Sequence, residues 1–239
     1  MQQPSMHFAA YYRWLVLVHH LNIKVRAESI LDVGCDDGFF LANQVGRFKV
    51  GVDLDPRVPP DRDFSVVLAD GCALPFVDGS FECVLAFDVI EHALDDRAFV
   101  ASVTRVLAPC GQLWLSTPTD TPHIFPSWLT RRAMKGWGHE RIGYNVDDLV
   151  SRFPPGYHVE ATLWNAASFR FLFVLLRLLR VLSPALARGG ARLCFALDRH
   201  LLPGHDYMVL RAVRALGQES VHAEPEHPAG VREHLSGEK

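Results

Sequence analysis

Residues 30–40 constrain this chain more than any other stretch. They read Ile-Leu-Asp-Val-Gly-Cys-Asp-Asp-Gly-Phe-Phe: an apolar run closing on an acid, two glycines four positions apart, then apolar residues resuming at helical spacing. The order is strand, tight turn, helix. Glycine serves where the backbone must take positive φ or approach a ligand closely, and the helix start presents unpaired N–H groups. The expected guest is a small polar ligand. A dinucleotide fits badly, because no G-x-G-x-x-G is present and Asp36 and Asp37 would repel a pyrophosphate. A cationic ligand tolerates those carboxylates.

Two further stretches repeat the theme of an acid at a strand end. Phe48 to Leu54 reads Phe-Lys-Val-Gly-Val-Asp-Leu, placing Asp53 about twenty residues beyond Gly34, where a carboxylate can accept from both hydroxyls of a ribose. Ser65 to Leu68 forms a short strand before Asp70 and Gly71, and Val84 to Phe87 forms a fourth before Asp88-Val-Ile-Glu-His92. Open parallel sheets bind ligands outside the carboxyl ends of their strands, at the point where strand order reverses. All these acids converge there.

With these positions in hand, the chain resembles the class I S-adenosylmethionine-dependent methyltransferases. Asp32, Gly34 and Gly38 match the acid and glycines of the family's first motif, with Asp36 standing where the middle glycine is usual. The resemblance implies a Rossmann-like α/β fold: a seven-stranded, mostly parallel sheet with helices on both faces and an antiparallel last strand. It implies S-adenosyl-L-methionine as cofactor, held by Asp32, Gly34, Cys35 and Gly38, by Asp53 and Leu54 at the ribose, by Asp70 and Gly71 at the adenine, and by Asp88 and Val89. It also places Tyr11 or Tyr12, on a helix read from Met6 to Leu21, as a lid.

At 239 residues and 49% hydrophobic content the chain can bury one substantial core. We expect one domain over residues 1–216, with a helical insertion at about 166–204, and a polar disordered tail over 217–239. The net charge of −3 gives no reason to expect nucleic acid, since phosphate binding leans on clustered Lys and Arg. The five cysteines are odd in number, scattered and never in a C-x-x-C pair, so a reduced cytoplasmic setting without disulfides or metal is expected. No secretory signal is read at the start. Cys110, before the fifth strand at Gln112 to Ser116, reads as structural.

The second half carries the acceptor side. Thr117 to Tyr144 is a long aromatic connection, and Gly138, His139, Arg141 and Tyr144 resemble the family's exit from it. Long loops at the carboxyl end of a sheet are usually functional. His92 and His139 are the candidate general bases, because an imidazole titrates near neutral pH. Asp95 caps a helix that Pro109 and Gly111 are expected to stop; Asn145 caps another, and strands follow at 158–165 and 206–213. Phe169 to Ala187 is densely apolar with Arg170, Arg177 and Arg180 on one side. Core or dimer-interface packing, a greasy substrate pocket and a peripheral membrane contact through 169–187 all satisfy that pattern. Ala191 to Leu202 reads as a second helix.

The expectation is methyl transfer to a small-molecule or lipid-like acceptor. The alternative is a methyltransferase-fold scaffold or cofactor sensor without turnover.

Overall fold

The computed structural model describes residues 7–59, 61–121, 124–126, 128–136, 138–200 and 204–215. The expected tail over 217–239 lies outside the described residues.

Seven strands form one sheet: β1 (Ser29–Val33), β2 (Phe48–Asp53), β3 (Ser65–Leu68), β4 (Phe81–Phe87), β5 (Leu107–Pro118), β6 (Tyr157–Trp164) and β7 (Tyr207–Arg214). The order is β3-β2-β1-β4-β5-β7-β6. β1 pairs in parallel with β2 and β4, and β5 with β4, whereas β7 runs antiparallel to both β5 and β6. Strand order therefore reverses between β1 and β4. The chain leaves these two strands in opposite directions and opens a crevice at their carboxyl ends.

The helices are α1 (Phe8–Trp14), α2 (Phe39–Ala42), α3 (Asp96–Arg105), α4 (Trp128–Gly136), α5 (Val146–Val150), α6 (Ala167–Leu182) and α7 (Pro184–Asp198). On one face of the sheet Val84, Leu113 and Leu210 pack with Phe99, Val100 and Val103 of α3. On the other, Ile30, Cys83, Leu85 and Val209 pack with Leu17 and Leu41. A third cluster joins Phe8 and Tyr12 of α1 to Phe173 and Leu176 of α6 and Ala187, Ala191 and Phe195 of α7.

One hydrogen-bonded centre fastens that third cluster. Asp198, at the end of α7 and 2% exposed, accepts from Tyr12 Oη at 2.6 Å and from the amides of Ser168 and Phe169 at 2.7 and 3.2 Å. Trp164 Nε1 donates to the Tyr12 hydroxyl at 2.9 Å. A buried carboxylate without such donors would cost several kcal/mol, roughly the penalty of an unpaired polar group or more. Here α1 and α6 supply its partners, so α1 is tied to the insertion rather than free to swing as a lid.

Several boundaries differ from the sequence reading. The one-turn α2 is much shorter than a full crossover helix. The first helix changes after Trp14 into a wider π winding over Leu15–His20. α3 ends at Arg105, ahead of Pro109, because Phe81 N already donates to Val106 O at 3.0 Å and draws the chain into the sheet. β5 begins at Leu107 instead of Gln112, and its Pro-Cys-Gly segment is a bulge: Cys110 has φ +61, and the register with β4 shifts between Phe81 and Cys83. The apolar stretch from Phe169 is two helices, since Ser183 caps α7 by accepting from Leu186 N and Pro184 occupies its first turn. α7 ends at Asp198, and residues 201–202 of the expected second helix lie outside the described residues. Among the described residues, no helix is long and apolar enough to cross a membrane.

Candidate functional site

The turn after β1 is built on alternating left-handed residues. Gly34, Asp36 and Gly38 have φ of +76, +46 and +70. The amides of Gly34 and Cys35 donate to Val52 O at 2.8 and 3.0 Å, extending the ladder with β2 into the turn. A Cβ on Gly34 would lie 2.8 Å from Val89 Cγ2, so the backbone there must stay bare. Gly38 serves packing instead: a Cβ would meet the Phe64 ring at Cζ. Asp36 carries a side chain where the left-handed region costs about 1 kcal/mol, and that side chain pairs with Arg57 at 2.8 Å.

Carboxylates dominate the crevice. Asp32, 3% exposed, has its acid pushed up to about 8, first by burial and then by Asp53 and Asp37. Asp88 takes φ +52 at the end of β4 and accepts from Ser116 Oγ at 2.8 Å and from Tyr207 Oη. Its other oxygen pairs with Arg13, which α1 sends across the crevice. Burial and the neighbouring Glu91 hold Asp88 well above the usual carboxylate range, and burial raises Glu91 likewise. Glu91 accepts from Thr117 Oγ1 at 3.1 Å.

The loop before Tyr144 docks on the same end of β4. The amides of Glu140 and Arg141 donate to Glu91 O at 3.0 and 3.4 Å, which sets His139 edge-on to His92 with ring centroids 4.5 Å apart. His92 Nδ1 lies 3.1 Å from Gly138 O. A carbonyl only accepts, so Nδ1 carries the proton and Nε2 is left as the basic nitrogen. Burial lowers the His92 pKa, which favours the neutral, proton-accepting ring. Arg141 and Tyr144 brace this loop: Arg141 and Arg152 both pair with Asp96 at 3.1 Å, and Tyr144 Oη donates to Ile90 O at 3.2 Å. Glu91, His92 and His139 hold their ligating atoms within 4.8 Å of one another, a donor set able to hold a cation that the sequence did not suggest.

These groups border one cavity of about 690 Å³. Of the residues expected to hold a cofactor, Asp32, Gly34, Cys35 and Asp88 line it, and so do both candidate bases, His92 and His139. Cys35 contributes backbone only: its thiol packs against Gly51 and burial pushes it up to about 12. Gly38, Asp53, Leu54, Asp70, Gly71 and Val89 lie outside the lining. Asp53 stands one bond away, accepting from Asp36 N at 2.9 Å and from Asp55 N at 2.9 Å. Asp70 caps a short turn by accepting from Cys72 N at 2.8 Å, and Leu54 is 71% exposed. Gly71 is needed for packing, since a Cβ would lie 2.6 Å from the Phe99 ring.

The far half of the cavity is aromatic and comes from elements distant in sequence. Tyr12, Trp164, Phe169, Phe173 and Tyr207 line it, with Ile124 from the long connection. Thr130 pins Ile124 by accepting from its amide and donating to its carbonyl, both at 3.1 Å. Tyr12, expected as a lid, is thus a buried wall, while Tyr11 is not part of the lining. Sequence reasoning missed Arg13, Glu91 and Tyr207. For Arg13 the signal was available: it is the single charge in the run Ala9 to Val18.

The fit of a sulfonium cofactor can be judged from these groups. Asp32, Asp36, Asp37, Asp88 and Glu91 line the cavity against Arg13, Arg57 and Arg180, and the bare Gly34 backbone gives close approach. That donor set suits a ligand bearing an ammonium and a sulfonium.

Comparison with known proteins agrees. The family model described as a methyltransferase domain matches residues 31–115. The chain is 34% identical over 119 residues to a probable S-adenosylmethionine-dependent methyltransferase of Mycobacterium tuberculosis, covering 44% of this chain and 41% of the relative. It is 29% identical over 117 residues to a ubiquinone biosynthesis O-methyltransferase of Xanthomonas oryzae pv. oryzae, covering 44% of this chain and 48% of the relative. These matches therefore span under half the length of either relative. The fold is shared with the [4+2]-cyclase SpnF, at TM-score 0.56 and 17% identity over 87% of this chain and 82% of that one.

Proposed function

We propose, from the match of residues 31–115 to a methyltransferase-domain family model, that this chain binds S-adenosyl-L-methionine and methylates a small, lipophilic acceptor. The observation that carries the reading is the division of one cavity into two halves. One end is carboxylate-rich around Asp32 and Gly34; the other is aromatic around Phe169 and Phe173.

The cofactor would supply an electrophilic methyl group. This chain's residues supply the rest. Asp32, once ionised, would neutralise a cationic ligand, with Asp53 and Asp70 at its ribose and adenine. The aromatic wall excludes water and orients an apolar acceptor, and orientation alone can be worth ~7 to 11 kcal/mol of barrier. For a hydroxyl acceptor, His92 Nε2 is the base, with His139 set edge-on beside it. Arg13 holds Asp88, and Asp88 in turn holds the Tyr207 hydroxyl at the cavity wall.

The name of the Xanthomonas relative supports a lipophilic phenol as the acceptor class. The same reading takes residues 169–187 as a contact with a membrane. A second reading, cofactor binding without turnover, rests on Asp36 in a left-handed position where the family has glycine. The test is incubation with methyl-labelled S-adenosylmethionine and a demethylated quinone precursor. Label in the organic extract supports transfer, whereas bound cofactor with no transferred label favours the second reading.

A further inference from the structure

α6 has two working faces. Phe169, Phe173 and Arg180, spaced by four and seven residues, line the cavity from one side of the helix. On the opposite side, Phe171, Val174, Leu175, Leu178, Val181 and Leu182 recur at helical intervals and face solvent, from 38% exposed at Val174 to 84% at Val181. On the adjoining α7, Leu186, Leu193 and Leu197, spaced by seven and four residues, are exposed as well. It also continues toward α4, where Phe125 stacks on Phe171 at 5.1 Å and Trp128 is 71% exposed. Soluble surfaces seldom leave so extended an apolar patch open without a use for it.

Charge selects the occupant. From Ala167 to Leu197 the chain has five arginines and no Asp or Glu. Arg170 pairs with Asp206, while Arg177, Arg180, Arg188 and Arg192 make no ion pair among the described residues. Arg132 and Lys135 on α4 are exposed too. A second copy of the chain would bring this positive face against itself, and like charges across an interface are unfavourable. Anionic head groups would meet the arginines while the leucines and aromatic rings enter the acyl boundary.

We propose that the outer face of α6, with the adjoining surfaces of α7 and of Phe125 and Trp128, docks on an anionic bilayer, and that the acceptor enters the cavity from that side, past His7 and Arg180. This deepens, and rests on, the lipophilic-acceptor reading above. His7 at the start of α1 and Arg180 near the end of α6 both line the cavity, so it reaches the ends of those two helices. A lipid acceptor would then pass from the membrane to the methyl donor without crossing water.

The test is co-sedimentation of the full chain with phosphatidylcholine vesicles, with and without phosphatidylglycerol, alongside S-adenosylhomocysteine titration. The parent sediments with the anionic vesicles and stays in solution with the neutral ones. Leu178→Asp with Val181→Asp abolishes sedimentation. Arg177→Gln with Arg192→Gln weakens it by about fivefold for each arginine removed. Unchanged S-adenosylhomocysteine affinity in both variants shows that they fold. S-adenosylhomocysteine binding without vesicle binding by the parent overturns the docking proposal alone; vesicle binding without S-adenosylhomocysteine binding overturns the methyltransferase reading instead. Equal sedimentation of parent and variants, or a dimer that Leu178→Asp dissolves, also overturns the docking proposal.

Discussion

The amide of Asp36 donates to Oδ2 of Asp53 at 2.9 Å, joining the turn after β1 to the end of β2. Asp53 therefore has two tasks, because the carboxylate that would take ribose hydroxyls also holds the cofactor turn in place. Asp53→Ala is expected to weaken S-adenosylhomocysteine binding by ~1.5 to 3 kcal/mol, through lost charge-assisted hydrogen bonds. Asp53→Asn, which keeps one acceptor, should lose less. Calorimetric titration of both variants checks this, and parent-like affinity in Asp53→Ala would move the ribose site elsewhere.

Asp36→Gly is expected to stabilise the turn by about 1 kcal/mol, the usual relief of a non-glycine left-handed residue. The exposed pair with Arg57 offsets little of this, since such pairs contribute about 0 to 1 kcal/mol. Cofactor affinity should hold or rise. Thermal melting with and without S-adenosylhomocysteine reads both quantities. In contrast, Gly34→Val should abolish binding, because its side chain would collide with Val89 and its φ of +76 excludes a β-branched residue. Val89→Ala should not rescue it, because the backbone strain remains.

The pH dependence follows from Asp32. Its folded pKa of about 8 lies above its ordinary value near 3.8, so the folded apo protein holds the proton and the unfolded chain releases it. This contribution to apo stability is full below pH 4 and is lost as pH rises toward 8. A cationic cofactor reverses the preference by favouring the ionised acid. Affinity should therefore rise from pH 6 to 8, by up to about tenfold per pH unit for one released proton, and level off above. Titration in buffers of different ionisation enthalpy should show proton release at pH 6.5. Flat affinity across this range, or proton uptake, would remove Asp32 from the site.

His92→Gln is expected to lower turnover of a hydroxyl acceptor by about a hundredfold or more while leaving S-adenosylhomocysteine affinity within twofold, as loss of a general base does. His139→Gln should have the smaller effect, since His92 carries the fixed tautomer. A kcat–pH profile at saturating S-adenosylmethionine that keeps its acidic limb in His92→Gln would assign the base to another group.

Much of this was legible because it is local. The alternation of apolar strands and terminal acids gave β1 to β4, and capping residues gave the starts of α3 at Asp95 and α5 at Asn145. What was not legible depends on contacts distant in the chain. The bulge at Cys110 exists because β4 captures Leu107 early, and Tyr12 is buried because Asp198, 186 residues away, needs a donor. Arg13 was overlooked because an arginine on an apolar helix reads as a solvent-facing charge until its partner Asp88 is seen. Pro184, by comparison, marks a helix break that is visible in the sequence, and Ser183 before it caps α7.

The central claim is that the crevice between β1 and β4 is an S-adenosylmethionine site. Isothermal titration of the full chain with S-adenosylmethionine tests it most directly. The account predicts one site per chain, competition by S-adenosylhomocysteine, and loss of the heat in Gly34→Val with the fold retained. No saturable heat for either nucleoside, or equal binding by Gly34→Val, would contradict it.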